Sequence, residues 1–396
     1  MRVLSVTAQK PCSTGSGVYL TEVVRSLAKM GVSQAVVAGV TREDRVDMPE
    51  GVTVYPVYFS SEKLPYPVVG MSDEMPYTST RYRDMTEEMA GQFTAAFLEV
   101  LDEAIEKENP DIILCHHLYY LTALIRAHYP AKKVYGFCHN TDLRQMESIL
   151  FERNFIRQEI PKLDRIFALQ EAQKEKIKKI YPVSEKQMTV IGTGYNSEVF
   201  KKTGIKLSRK DGKIRMIFAG KITQKKGVKS LLRALNLLDY EKEKIQLILA
   251  GGAGNLVEYE EIKELADGCR YPVVFAGCVT QSRLAELYND CDIFVLPSMY
   301  EGLPLTVIES LACGDRVVMT KLEGIAEWLA DMVPDADIRY VLPPGMKGTD
   351  EPLEEELPAF ESRLTEALRE AIEEKDTKEC DVSRISWQKI AREVIR

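Results

Sequence analysis

Short uninterrupted apolar runs alternate along this chain with stretches in which apolar residues recur at helical spacing. The first run, residues 3–8, is followed by a glycine-containing loop (13–17), a helical pattern (18–29) and a second run (34–40). Strands buried on both faces read as continuous apolar runs, and parallel neighbours need a crossover of helical length, so this order predicts a βαβ unit. Further strands are expected at 112–115, 134–137 and 165–168. The alternation restarts at 214–219 and continues through a strand over 292–297, a helix over 305–313 and a strand at 317–319. A glycine-containing loop at 191–196 marks the break. The expected architecture is α/β: two doubly wound, Rossmann-like domains facing a cleft, over 1–195 and 196–380, with a closing segment 381–396.

The 396 residues, 45% of them hydrophobic, suffice for two or three domains with substantial cores. No apolar run approaches the roughly 18 residues that cross a bilayer. The amino end reaches Gln9 and Lys10 too early for a signal-peptide core, so a cytoplasmic chain is expected. Eight cysteines fall at irregular separations without a Cys-x-x-Cys. Cys115, Cys138, Cys278 and Cys291 lie in or beside apolar runs, the pattern of buried reduced thiols. A net charge of −8 argues against general nucleic-acid binding. Between Lys201 and Lys229, however, stand eleven Lys or Arg and a single acid, Asp211. That is a local field for an anionic ligand, or simply a soluble surface. The basic run 174–180 reads as a solvated helix face, leaving membrane contact peripheral at most.

The chemically pointed stretch is Glu301-Gly302-Leu303-Pro304-Leu305-Thr306-Val307-Ile308-Glu309, where the strand over 292–297 hands over to a helix. Glu301 then stands at the strand's carboxyl end, where ligands of doubly wound sheets bind and the first helical N–H groups favour an anion. Glu309 falls about one turn into the helix. The two acceptor oxygens of a carboxylate suit vicinal hydroxyls such as those of a ribose or hexose; a carboxylate complementing the helix dipole is the alternative. Lys221 and Lys226 flank the loop after the strand 214–219, in reach of two phosphates, with Lys225 a competitor and an exposed loop lysine the plainer reading.

The loop around Gly15 and Gly17 carries the first two glycines of Gly-x-Gly-x-x-Gly, with Leu20 in place of the third, and no acid closes the second strand. Both departures argue against NAD, while the loop N–H groups still suit a phosphate or sugar. His139 falls at the carboxyl end of the strand 134–137. His116 and His117 are adjacent and should face opposite ways on a strand, which argues against a metal site with His139.

The second half of the chain resembles the retaining GT-B glycosyltransferases of family 4, the glycosyl transferases group 1. Their signature pairs two glutamates across seven residues beside a glycine, as Glu301, Gly302 and Glu309 stand here. Other matches run in the family's order: Phe218-Ala219-Gly220-Lys221 with Lys226-Gly227, Leu249-Ala250-Gly251-Gly252-Ala253-Gly254, Val274-Phe275-Ala276-Gly277, Cys291-Asp292-Ile293-Phe294-Val295-Leu296-Pro297-Ser298 and Leu311-Ala312-Cys313-Gly314. The resemblance is strong over residues 190–330 and weaker elsewhere.

It implies the GT-B architecture, with a closing helix around Trp387 that crosses back onto the first domain. It also implies a retaining, metal-independent hexosyltransferase that uses a nucleoside-diphosphate sugar, foremost a UDP-sugar, as substrate and needs no cofactor. Glu309 would hold the ribose, and Lys221 and Lys226 would neutralise the leaving diphosphate. Glu301, with the backbone of Gly302, Leu303, Pro304, Leu305 and Thr306, would fix the sugar. The family places Arg where Lys221 stands, and a lysine meets phosphate as a point charge rather than a planar fork. His139 would border the transferred sugar, as a hydrogen-bonding or structural group rather than a general base. Acceptor loops of the family come from the first domain, which assigns the long stretch 58–85, with Asp73 and Tyr77, and the cation of Arg144 to a small-molecule, glycan or lipid-linked acceptor. The alternatives are a nucleotide-sugar epimerase, which would consume donor without acceptor, and a non-catalytic nucleotide-sugar-binding protein.

Overall fold

The computed structural model describes residues 1–11, 13–73, 75–209, 211–253, 255–348, 351–374 and 380–396. Among these residues the apolar runs pair into a seven-stranded and a six-stranded sheet, with all neighbours in both parallel. The chain divides into two compact units, Met1–Gly194 with Ser386–Arg396, and Tyr195–Ile385. Each unit holds one of these two large sheets.

In the first unit, β1 (Arg2–Thr7) lies between β2 (Ser33–Val40) and β4 (Ile112–His116). Outside them run β3 (Thr53–Tyr58) on one side and β5 (Lys133–Phe137), β6 (Arg165–Ala168) and β7 (Met188–Val190) on the other. The second unit repeats the plan around β8 (Ile214–Ala219), flanked by β9 (Ile245–Ala250) and β11 (Ile293–Leu296). Its outer strands are β10 (Val273–Gly277), β12 (Arg316–Thr320) and β13 (Ile338–Val341). In both sheets the strand order reverses beside the central strand, and the crevice at the carboxyl ends there is where such sheets take ligands.

Helix α1 (Gly15–Lys29) is the first crossover, and α2 (Glu87–Glu108) another. The first core also takes in the long stretch after β3: Phe59, Leu64, Tyr66, Val68, Val69, Met71, Tyr82 and Met85 are buried in it. Two-residue strands at Val69–Gly70 and Thr80–Arg81 pair in parallel within the stretch. This long connection is thus a packed piece of the first unit, apart from Glu74, which lies outside the described residues. The closing helix, Trp387–Val394, buries Trp387, Ile390, Ala391 and Val394, one stripe at helical spacing, and packs on α1. Its Trp387 ring meets Tyr19 edge-on at 4.9 Å. Gly194 leaves room for that ring, since a Cβ there would lie 2.5 Å from it. In the helix Glu171–Ile180, Lys174 and Lys178 are each ion-paired to Glu185 and to a glutamate one turn back, Glu171 and Glu175 respectively. One expectation fails: Cys115, Cys138 and Cys291 are buried, but Cys278, just past the end of β10, is exposed. The apolar run that suggested burial stops at the sheet's edge strand.

Two glycines fix the ends of the second sheet. Gly251, at φ +147°, lies so close to β8 that a Cβ would sit 1.7 Å from the Gly220 carbonyl oxygen. Gly227, at φ +73°, would place a Cβ 2.0 Å from the Pro297 carbonyl oxygen. We expect Gly251→Ala to destabilise the second unit by about 3 kcal/mol or more, through strain and backbone overlap together. Gly91→Ala, inside α2 with nothing within 4 Å of the new methyl, should instead stabilise by up to about 1 kcal/mol. Calorimetric unfolding of the two variants measures both signs; equal Tm values for wild type and Gly251→Ala would contradict the packing argument.

Candidate active site

The site predicted from the glutamate pair is built on the switch point of the second sheet. After β11 the chain passes Pro297, Ser298 and Met299 to the turn at Glu301, and helix Leu305–Ala312 begins with Pro304 at its cap. Beside it the loop after β8 runs through Gly220 and Lys221 to a short 3-10 turn, Gln224–Lys226. The Met299 N–H donates to the Lys225 carbonyl at 2.9 Å, and Gly227 packs on Pro297, so the two loops are held against each other.

That clamp brings together residues 75 positions apart: Lys226 Nζ lies 2.6 Å from Glu301 Oε1. The two side chains keep 27% and 14% of their surface, so most of the pair is withdrawn from water. Leu303 and Pro304 are buried, while Gly302, Leu305 and Thr306 are partly exposed along the turn. Glu309 is 6% exposed, one turn into the helix. Its charge, after burial, helps push the Tyr288 hydroxyl far above its ordinary range. Lys221 follows Gly220 directly at the carboxyl end of β8 and is partly exposed. Gly254, from the motif after β9, lies outside the described residues.

In the first unit the loop before α1 is tied internally. Thr14 Oγ1 accepts the Gly17 N–H at 3.1 Å, and Ser16 Oγ donates to Gln9 Oε1 at 3.3 Å. The amide of Gly17 is therefore used by the helix cap, while Gly15 has open space where a Cβ would stand. Tyr19, on the first turns of α1, is in edge contact with His139 at 5.2 Å.

His116, His117 and His139 form one cluster. His116 Nδ1 and His139 Nε2 are 3.0 Å apart, and the His117 and His139 rings lie 4.9 Å apart. The alternation of strand side chains places His116 and His117 on opposite faces, yet His117 lies one residue beyond β4 at φ +75°, which turns its ring to His139. Even so, among the described residues no three His, Cys, Asp or Glu side chains are arranged to hold a metal ion. Burial leads the causes that keep all three rings neutral: it holds the His116 imidazole down to about 3, and lowers His117 and, further, His139.

The stretch assigned to an acceptor meets the helix Thr141–Ser148. Arg144 Nη2 donates to Ser72 Oγ at 3.3 Å, and Gln145 Nε2 to the Met71 carbonyl at 3.0 Å. Asp73 Oδ2 is held by Arg83 at 2.6 Å, while Oδ1 is buried and makes no hydrogen bond among the described residues. The Tyr77 ring lies under Lys10 Nζ, 5.0 Å from its centroid, and that ammonium is paired to Asp44 at 2.7 Å.

The profile of the glycosyl transferases group 1 matches residues 200–393, and that of glycosyltransferase family 4 matches residues 13–199. The chain belongs to the glycosyl transferases group 1 family. An uncharacterized glycosyltransferase of Methanocaldococcus jannaschii is 29% identical over 172 residues, which are 41% of this chain and 44% of that relative. The chain thus spans less than half the length of that relative. D-inositol 3-phosphate glycosyltransferase 2 of Catenulispora acidiphila is 25% identical over 346 residues, 80% of this chain and 76% of that one. Among solved structures, the Anabaena protein HepE in complex with UDP and glucose superposes with a TM-score of 0.64 at 15% identity, covering 100% of this chain and 98% of that one. At that identity the likeness is one of fold, GT-B.

Two hydroxyls of this glycosyltransferase have no role in the sequence reading. Ser298 Oγ, just after β11, and Thr320 Oγ1, at the end of β12, are fully buried and make no hydrogen bond among the described residues. Neither spacing nor composition singles them out, because only strand order places the two chain segments side by side.

Proposed function

We propose that this glycosyltransferase moves a hexose from a UDP-sugar to an acceptor with retention of configuration and without a metal ion. The observation that carries the reading is the Lys226–Glu301 pair at the carboxyl end of β11, with the buried carboxylate of Glu309 one turn into the next helix. Glu309 accepts hydrogen bonds from the ribose hydroxyls. Lys221 and Lys226 meet the diphosphate, and Glu301 with the turn from Gly302 to Thr306 holds the sugar. Charge on the departing phosphate grows in the transition state, so cations already in place there lower the barrier most. His139 and the loop at Gly15 are assigned to the sugar and phosphate, whereas the Gly17 amide is taken up by the Thr14 cap. Asp73, Tyr77 and Arg144 belong to the acceptor side, where the Arg144 and Lys10 cations suit an anionic group. Support for UDP comes from the complexed Anabaena protein, and support for a small phosphorylated acceptor from the inositol-phosphate relative.

The test is calorimetric titration with UDP, UDP-glucose, UDP-N-acetylglucosamine, GDP-mannose and ADP-glucose. Micromolar binding selective for the uridine ligands is expected. Glu309→Ala should weaken it about 30- to 100-fold, the loss of a charge-assisted pair of hydrogen bonds worth about 2–3 kcal/mol. Affinity that is unchanged in the variant, or absent for every ligand, would remove the donor assignment.

A further inference from the structure

The histidine cluster fixes more than the position of His139. The His116 and His139 planes are inclined by only 12°, with ring centroids 5.3 Å apart and Nδ1 and Nε2 at 3.0 Å. The centroid separation exceeds the nitrogen separation by about the two ring radii, so the rings lie edge to edge rather than face to face. An imidazole N–H and an imidazole lone pair both point outward in the ring plane, and this geometry aligns one with the other. Exactly one of the two nitrogens then carries the shared proton.

The other nitrogen of His116 decides which. His116 Nε2 is buried and makes no hydrogen bond among the described residues. The ring is wedged between Phe137, nearly parallel at 4.8 Å, and the edge of Tyr19. With both rings neutral, a proton on Nε2 would leave a buried N–H donor unsatisfied, which folded proteins avoid more strictly than an unmet acceptor. The single proton of His116 therefore belongs on Nδ1, from which it is donated to His139 Nε2. His139 must then carry its own proton on Nδ1. That atom makes no hydrogen bond among the described residues, and the His139 ring keeps part of its surface exposed.

We propose that His116 is a positioning residue that locks His139 as the Nδ1–H tautomer, so that His139 presents a hydrogen-bond donor to an oxygen of the transferred sugar and has no lone pair there with which to act as a base. The role of the sugar rests on the function proposed above; the tautomer does not.

The experiment is long-range 15N–1H correlation NMR on the full chain labelled at histidine, assigned with single variants, at neutral pH, first alone and then with UDP-glucose. His116 and His139 should both show the Nδ1–H pattern, with Nε2 unprotonated. In His116→Asn the side-chain amide stands where Nδ1 stood and still donates, so the His139 tautomer should persist. In His116→Leu it should shift toward Nε2–H, with donor KM raised about tenfold, the effect of one lost hydrogen bond, and kcat changed less. An Nε2–H signal for His139 in the wild type would overturn the proposal, as would an unaltered His139 tautomer in His116→Leu. If the leucine variant does not fold, the wild-type and asparagine spectra still decide it. If the tautomers are as stated but UDP-glucose leaves the His139 resonances unmoved, the role of His139 toward the sugar fails and the tautomer lock stands.

Discussion

Lys226→Met is expected to lower kcat/KM by about three orders of magnitude, roughly 4 kcal/mol of transition-state stabilisation. Two losses combine in that figure. On the donor placement proposed above, the ammonium would no longer face the phosphate that accumulates charge as the sugar departs, and Glu301, with 14% of its side chain exposed, loses the cation 2.6 Å away. The conservative Lys226→Arg should recover part of the rate, because it restores the charge but not the reach of a point cation. Glu301→Gln removes the same pair from the other side. Since both single variants break one interaction, the double variant should be less impaired than the product of the two, and the cycle should return a coupling of about 1–3 kcal/mol. A purely structural ion pair behaves otherwise: partly exposed, it is worth about 1 kcal/mol of stability at most, and its removal would lower Tm while sparing donor affinity. Steady-state kinetics and UDP titration on the four proteins separate the cases, and full donor affinity in Lys226→Met would sink the catalytic assignment.

Acidification is expected to loosen the first unit before the second. His116, His117 and His139 all have folded-state pKa values lowered by burial, His116 to about 3 from an ordinary 6.5. For a group depressed in this way the unfolded chain binds the proton first. The stability it contributes is present above pH 6.5 and is lost as pH falls toward the folded value. For His116 alone the loss is about 2 kcal/mol by pH 5 and of order 5 kcal/mol by pH 3, and the other two rings act in the same direction.

The second unit contains an opposite case. Burial of the Asp315 carboxyl, whose side chain is fully covered, outweighs the Lys206 ammonium at 2.5 Å and pushes its pKa up to about 7. Its contribution is greatest below the ordinary carboxylate range near 3.8 and is lost as pH rises through 7. The check is the wild-type-minus-variant stability difference between pH 7 and 5, measured by hydrogen exchange resolved to each unit. That difference should fall with acid for His116→Asn and rise for Asp315→Asn. Parallel curves for wild type and His116→Asn would show that the imidazole is not held neutral.

The glutamate turn was legible because its logic is local. An apolar run, a glycine and a helical repeat follow one another between residues 292 and 313, and periodicity alone says which end of the strand they occupy. The βαβ alternation was legible for the same reason, down to the limits of β6 and β8. The burial within the stretch after β3 was not legible, because prolines and glycines mark turns whether or not the apolar residues between them are buried, and there many are. Cys278 misled because a run of apolar residues does not say that its strand lies at the edge of the sheet.

Strand and helix identity, the position of Glu301 at a strand's carboxyl end and the neighbourhood of Lys221 and Lys226 were thus written in the order of residues, since burial periodicity acts over a few positions. The Lys226–Glu301 bond, the shared proton of His116 and His139, the turned ring of His117 and the buried hydroxyls of Ser298 and Thr320 were not. Each depends on which strands lie side by side and on backbone angles at their ends, and those follow from packing two sheets' worth of side chains at once rather than from any one segment's preference.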